Sequence, residues 1–200
     1  MNLPNKLTIF RIILVPIMVI IPLLNIQGAW IGIPYTFWII NFIFIIASIT
    51  DNLDGSIARK TNQVTNFGKF ADPLADKILV LSAMLILVEL GKLPAWIPII
   101  ILAREFIVSG YRLIAVEQGG EVIPASIFGK IKTVTQIIAI IVAFIDINSF
   151  GRCLMGGLKG IQLWLNILQT VAMFTCVIAT IVSGVDYLKD GKKYLNKKMA

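Results

Sequence analysis

Residues 51–76 read DNLDGSIARKTNQVTNFGKFADPLAD and lie between two apolar runs. They hold four aspartates in two pairs: Asp51 and Asp54 are three apart, Asp72 and Asp76 four apart. Both spacings put side chains on one face of a helix, so two helices meeting end to end can aim two carboxylates each at a common point. The intervening GSIARKTNQVTNFGKFA is rich in Gly, Asn and Thr and predicts a break. Helix is expected to restart at ADPLADK, with Pro73 tolerated in its first turn.

The rest of the chain says what medium surrounds this hairpin. Of 200 residues, 58% are hydrophobic and 14% charged, and mean hydropathy is +0.88, more apolar than a soluble core requires. Six runs, near 7–24, 33–51, 75–90, 95–115, 131–147 and 161–184, approach the roughly 17 to 25 helical residues that cross a bilayer. The expected fold is an all-α integral membrane protein of six transmembrane helices, built as one domain over residues 1–200. The first run is flanked by Lys6 and Arg11 like a signal peptide, yet has no convincing cleavage site and reads as a retained helix. Cys153 and Cys176 are spaced for neither a metal nor a disulfide and read as packing residues.

Charge orients the spans. Fourteen Lys and Arg fall on the N-terminal side of the alternating connections and three (Lys92, Arg152, Lys159) on the other, while Arg104 sits inside a helix. By the positive-inside rule the chain is a multi-pass protein of the cytoplasmic membrane, with both termini and the aspartate segment facing the cytoplasm. Trp30, Trp38, Trp96 and Trp164 cluster near the opposite ends, at headgroup depth. The basic tail YLKDGKKYLNKK suits anionic lipid headgroups. Membrane lipid is thus the expected partner of the positive charge, and no nucleic-acid partner is expected.

Four converging carboxylates repel one another and are costly to desolvate unless positive charge joins them. Two divalent cations, Mg²⁺ or Mn²⁺, would balance them, and such a pair about 4 Å apart clamps both oxygens of a phosphoryl displacement. Gly55 and Gly68 let a phosphate approach the backbone, and Arg59 supplies a cation for an anionic ligand. The alternative for the aspartates is helix capping and solvated loops, most plausible for Asp72 just before Pro73.

This segment resembles the signature of the CDP-alcohol phosphatidyltransferase family, D-x2-D-G-x2-A-R-x8-G-x3-D-x3-D. It is met here by Asp51, Asp54, Gly55, Ala58, Arg59, Gly68, Asp72 and Asp76 with every gap correct. The opening NLPNKLTIFRIILVP and residues 103–136, AREFIVSGYRLIAVEQGGEVIPASIFGKIKTVTQ, are similar to the bacterial branch of the family that makes phosphatidylglycerophosphate. The resemblance implies the six-helix CDP-alcohol phosphotransferase fold, a homodimer, and CDP-diacylglycerol and sn-glycerol 3-phosphate as substrates, with CMP released. It implies that Asp51, Asp54 and Asp72 bind metal, that Asp76 combines metal contact with base work, and that Gly55, Ala58, Arg59 and Gly68 hold the CDP moiety along with Asp54.

The chain has no histidine, which leaves a carboxylate to deprotonate the acceptor hydroxyl, and Asp76 is the choice. No Ser, Cys or His stands out as a covalent nucleophile, so direct in-line attack is expected. The acceptor's phosphate calls for cations: Arg104 and Arg112 on the fourth run, Lys130 and Lys132 opening the fifth, and Lys60 on the second. Arg104 lies inside an apolar span, where an ionisable residue points to function, although pairing with Glu105 or with one of the aspartates would also account for it. Lys130 and Lys132 diverge on a helix, so one faces the acceptor and the other the headgroups. Asn5, Thr8 and Arg11 share one side of the first helix. They either close over the cytidine end or serve locally, Asn5 as a cap and Arg11 snorkelling.

Other acceptors within the family (inositol phosphate, serine or phosphatidylglycerol) are compatible with the signature. Outside it, an aspartate-rich intramembrane prenyltransferase would need a second aspartate motif. A divalent-cation transporter would carry its carboxylates at mid-membrane.

Overall fold

The computed structural model describes residues 3–61, 66–117 and 127–199, with side chains at 5–51, 68, 71–111, 127 and 129–189. Six helices account for nearly all of it: α1 (Leu3–Ile20), α2 (Tyr35–Thr61), α3 (Asn66–Glu89), α4 (Trp96–Glu117), α5 (Ile127–Ile145) and α6 (Gly160–Met199). Each of the six apolar runs falls on one of them. A 3₁₀ turn, Ile21–Leu24, extends α1, and a second, Arg152–Met155, precedes α6. Between α1 and α2 a minimal antiparallel hairpin pairs β1 (Ala29–Trp30) with β2 (Ile33–Pro34). Its two turn residues, Ile31 and Gly32, both have positive φ.

Two helices carry long uninterrupted apolar windows, Asn5–Leu24 and Gly160–Lys189, and α2 has a shorter apolar stretch, Tyr35–Asp51. Charged residues fall within the other helices: Asp72, Asp76 and Lys77 on α3, Arg104 and Glu105 on α4, Lys130 and Lys132 on α5.

Helix α1 packs on α2 and α3, α5 lies between α2 and α6, and α4 rests on α6. The seam is apolar, with Met18, Ile40, Phe44, Leu79, Leu87, Ile97, Ile140 and Met173 all buried. Ala47, Ala83, Ala139 and Ala143 are wholly buried among them. Small residues let helix axes approach, and close packing, rather than water exclusion, is what joins helices in lipid. The outward faces carry Leu23, Leu85, Ile99, Phe106 and Trp164, all exposed.

The end of the bundle remote from the aspartates is closed by polar contacts. Lys92, in the α3–α4 connection, is buried and donates from Nζ to the carbonyls of Ala143 (3.1 Å), Phe144 (3.5 Å) and Asp146. These are the carbonyls that the end of α5 leaves without helical partners, so one side chain caps a neighbouring helix. Asp146 in turn accepts from the backbone N–H of Asn148 and from Asn166 Nδ2, whose Oδ1 accepts from Cys153 N. Both cysteines are free, and Cys176 is buried in the seam.

Burial pushes the Lys92 ammonium down from 10.5 to about 7, against the opposing pull of Asp146. With the folded value below the unfolded one, the native state binds fewer protons between those two pH values, so this residue makes stability rise with pH across that window. Melting in detergent at pH 7 and pH 9 is expected to show the rise. Lys92→Met is expected to flatten it, and an unchanged slope in the variant would remove Lys92 as its source.

The structure corrects the expected break. Helix α2 continues ten residues beyond Asp51 to Thr61, and α3 begins at Asn66 rather than at Ala71. Pro73 consequently lies in the body of α3 instead of its first turn. The Gly, Asn and Thr residues that suggested a break lower helix propensity by at most about 1 kcal/mol each. Continued backbone hydrogen bonding outweighs that cost. Residues 62–65 of the expected turn lie outside the described residues.

Candidate active site

Asp72 and Asp76 stand one turn apart on α3, and Gly68, one turn earlier, is buried on the same stripe. Buried Ala71, Ala75 and Leu79 anchor the adjacent face of α3, which leaves the aspartates half-buried. Asp51, on α2, is close enough to repel both Asp72 and Asp76 electrostatically. Three carboxylates from two helices therefore share one region.

Helix α1 supplies their partners. Arg11 is fully buried and places Nη1 2.6 Å from Asp51 Oδ1, whose side chain is 32% exposed. Thr8, also fully buried, donates from Oγ1 to Asp72 Oδ1 at 2.5 Å. The three-residue spacing of Asn5, Thr8 and Arg11 turns all three inward, so one face of α1 touches both aspartate-bearing helices. Two of the local readings fail here. Arg11 does not snorkel, because an ion pair with Asp51 holds it inside; and Asn5 does not cap, because α1 already begins at Leu3.

A cavity opens beside the carboxylates. Asp51, Asp76, Lys77, Glu105, Lys132 and Gln136 line it, and Val80, Met84, Ile101 and Ile137 form its apolar wall. Lys132 is buried and paired with Glu105, and Glu105 Oε1 also accepts from Arg104 Nη1 at 3.2 Å. Arg104 Nη2 donates to Ser183 on α6, and its stem passes Gly184, where an added Cβ would sit 3.2 Å from Cγ. Lys77 Nζ donates to Ser109 Oγ at 2.5 Å, tying α3 to α4. The arrangement sets carboxylates of α2 and α3 across a cavity from an ammonium of α5, as an anionic substrate beside a proton acceptor requires.

Of the residues singled out in the sequence, Asp51, Asp76 and Lys132 meet in this cavity. Thr8 and Asp72 are joined to each other by their hydrogen bond and are not among the residues that line the cavity. Lys130 is exposed while Lys132 is buried, which resolves the divergent pair. Arg104 is not among the lining residues; it pairs with Glu105, as the sequence offered as the alternative, and also donates to Ser183. The side chains of Asp54, Gly55, Ala58, Arg59, Lys60 and Arg112 lie outside the described residues. Sequence reasoning missed Lys77, Gln136 and the bridging role of Glu105. The four-residue spacing of Lys132 and Gln136 on α5 was a legible signal for one of them.

The family description CDP-alcohol phosphatidyltransferase matches residues 1–182. The chain belongs to this family. Among curated CDP-alcohol phosphatidyltransferases, it is 43% identical over 191 residues to the CDP-diacylglycerol--glycerol-3-phosphate 3-phosphatidyltransferase of Bacillus subtilis (strain 168), covering 93% of each chain. It is 37% identical to that of Haemophilus influenzae, over 96% of this chain and 94% of the relative. It is also 37% identical to the probable phosphatidylglycerophosphate synthase of Mycobacterium tuberculosis (strain CDC 1551 / Oshkosh), over 94% and 80%.

The donor set of this CDP-alcohol phosphatidyltransferase suits a hard divalent cation. Its ligands would be carboxylate oxygens, and the repulsion of Asp51 with Asp72 and with Asp76 is what such an ion relieves. Among the described residues no three acidic groups form one ligand cluster, the fourth aspartate, Asp54, being outside them. Arg11 already delivers one positive charge to Asp51.

Proposed function

We propose that the protein transfers the phosphatidyl group of CDP-diacylglycerol to sn-glycerol 3-phosphate, yielding phosphatidylglycerophosphate and CMP. The observation that carries this is a cavity that Asp51, Asp76, Lys132 and Lys77 line together. One side suits a pyrophosphate and a proton in transit, the other a phosphate dianion. The names of the relatives at 37–43% identity favour glycerol 3-phosphate over the other acceptors of the family.

The acceptor's primary hydroxyl oxygen attacks the lipid-linked phosphorus. A new O–P bond forms, the bond from phosphorus to the CMP oxygen breaks with its electron pair leaving on CMP, and the hydroxyl proton passes to Asp76. Lys132 and Lys77 hold the acceptor phosphate by charge-assisted hydrogen bonds, and Glu105 keeps Lys132 oriented towards the cavity. Asp54, Gly55, Ala58, Arg59 and Gly68 hold the CDP moiety, with Asn5 and Thr8 behind it. Asp51, Asp54, Asp72 and Asp76 would hold two divalent cations, Mg²⁺ or Mn²⁺, whose contribution is to neutralise charge on the pyrophosphate. The protein's own share is positioning, electrostatics and one proton transfer.

All six helices span the membrane in this reading, with the site and both termini on the cytoplasmic side and a homodimer as the working unit. The charge asymmetry of the connections supports the orientation. A site at that rim meets one substrate from the bilayer and the other from water.

Purified protein with CDP-diacylglycerol and Mg²⁺, offered glycerol 3-phosphate, inositol phosphate, serine and phosphatidylglycerol in turn, is expected to release CMP with glycerol 3-phosphate alone. EDTA is expected to abolish the release. CMP release with another acceptor instead would reassign the acceptor, and none with any would overturn the transferase reading.

A further inference from the structure

One polar group in the cavity has no part in the chemistry above. Gln136 is 2% exposed, lines the cavity, and its Nε2 has no hydrogen-bond partner among the described residues. A buried amide donor left unpaired costs free energy, and native folds seldom retain one without a reason. Gln169, wholly buried, also leaves its Nε2 unpaired among the described residues, but it does not line the cavity, whereas Gln136 does. Gln136 shares the lining of this cavity with Asp76 and Lys132.

We infer that Gln136 selects the acceptor by donating to the oxygen of its secondary hydroxyl, an inference that rests on glycerol 3-phosphate being the acceptor. Gln136 stands one helical turn from Lys132 on the same face of α5, a rise of about 6 Å. With the acceptor phosphate on Lys132, the carbon next to the reacting one comes alongside the amide. The primary hydroxyl is a poor partner for this donor, because an N–H bound to that oxygen withdraws electron density from it and weakens it as a nucleophile. The secondary hydroxyl takes no part in bond making and is free to accept. An acceptor without that oxygen would leave the amide unpaired in the complex, the situation in which hydrogen-bonding sites discriminate best.

The test compares glycerol 3-phosphate with 3-hydroxypropyl phosphate, which keeps the phosphate and the primary hydroxyl but lacks the secondary one. In detergent with CDP-diacylglycerol and Mg²⁺, the wild-type protein is expected to favour glycerol 3-phosphate in kcat/KM by roughly 10- to 100-fold. Gln136→Leu and Gln136→Met are each expected to bring glycerol 3-phosphate down to the level of the analogue. The analogue's own kcat/KM and the KM for CDP-diacylglycerol should stay put, and Tm should not fall, since the side chain that is lost makes no bond with that nitrogen in the unliganded protein. Equal use of both acceptors by the wild type overturns the inference without needing any variant. Parallel loss of both acceptors in the variants overturns it too and makes Gln136 a packing residue. If the wild type releases CMP with neither compound but does so with another acceptor of the family, it is the glycerol 3-phosphate reading that fails.

Discussion

Asp76→Asn is expected to lower CMP release by roughly 10²- to 10⁴-fold, the usual contribution of a positioned general base, while leaving the fold intact. The change is nearly isosteric, so the packing of α3 through buried Ala75 and Leu79 is undisturbed. It also removes a negative charge that repels Asp51, so Tm should hold or rise. A base acts only in the transition state, so kcat and kcat/KM should fall together with little change in KM. Raising Mg²⁺ separates the two duties assigned to this residue: recovery of rate at high metal identifies a ligand, and a deficit that metal does not repair identifies the base. A variant turning over at the wild-type rate would exclude Asp76 from both.

The second large effect concerns stability. Arg11→Met is expected to destabilise the protein by about 3 kcal/mol, the lower end for removing one member of a buried ion pair. The lower end applies because Asp51 keeps 32% of its side chain exposed and can hydrate once its partner is gone, whereas Arg11 is fully enclosed. Adding Asp51→Asn to that variant removes the stranded charge, so the double variant should melt above Arg11→Met alone. The difference from additivity measures the coupling. Additive behaviour of the two substitutions would mean that the pair across α1 and α2 contributes nothing. Activity should fall in Arg11→Met as well, since the residue holds Asp51 in the carboxylate group.

How much of this could be read from the chain differs by element. The six apolar runs fall on six helices because apolar patterning along the chain is a local, one-dimensional signal. The ends of α2 and α3 were not legible in the same way. Gly55, Asn62 and Gly68 carry the composition of a turn in a soluble protein, yet helix persists to Thr61 and resumes at Asn66, because each residue added to a helix gains a backbone hydrogen bond. Lys130 and Lys132 illustrate the same limit. Their divergence followed from the helical period, but which of them faces inward depends on Glu105, on a different helix.

From sequence alone, the aspartate spacing and its fixed intervals narrowed the expected chemistry, because carboxylates at three- and four-residue intervals gather on one helix face, where a divalent cation can offset their repulsion. Composition likewise determined the medium. The tertiary structure decided which groups balance those carboxylates. Arg11 and Thr8 come from a helix some forty or more residues away in the chain, Lys132 and Gln136 from one beyond α4, and Arg104 is drawn off to Glu105 and Ser183. Ion pairs and hydrogen bonds act over a few ångströms in space, so partners distant in the chain are settled by how the helices pack.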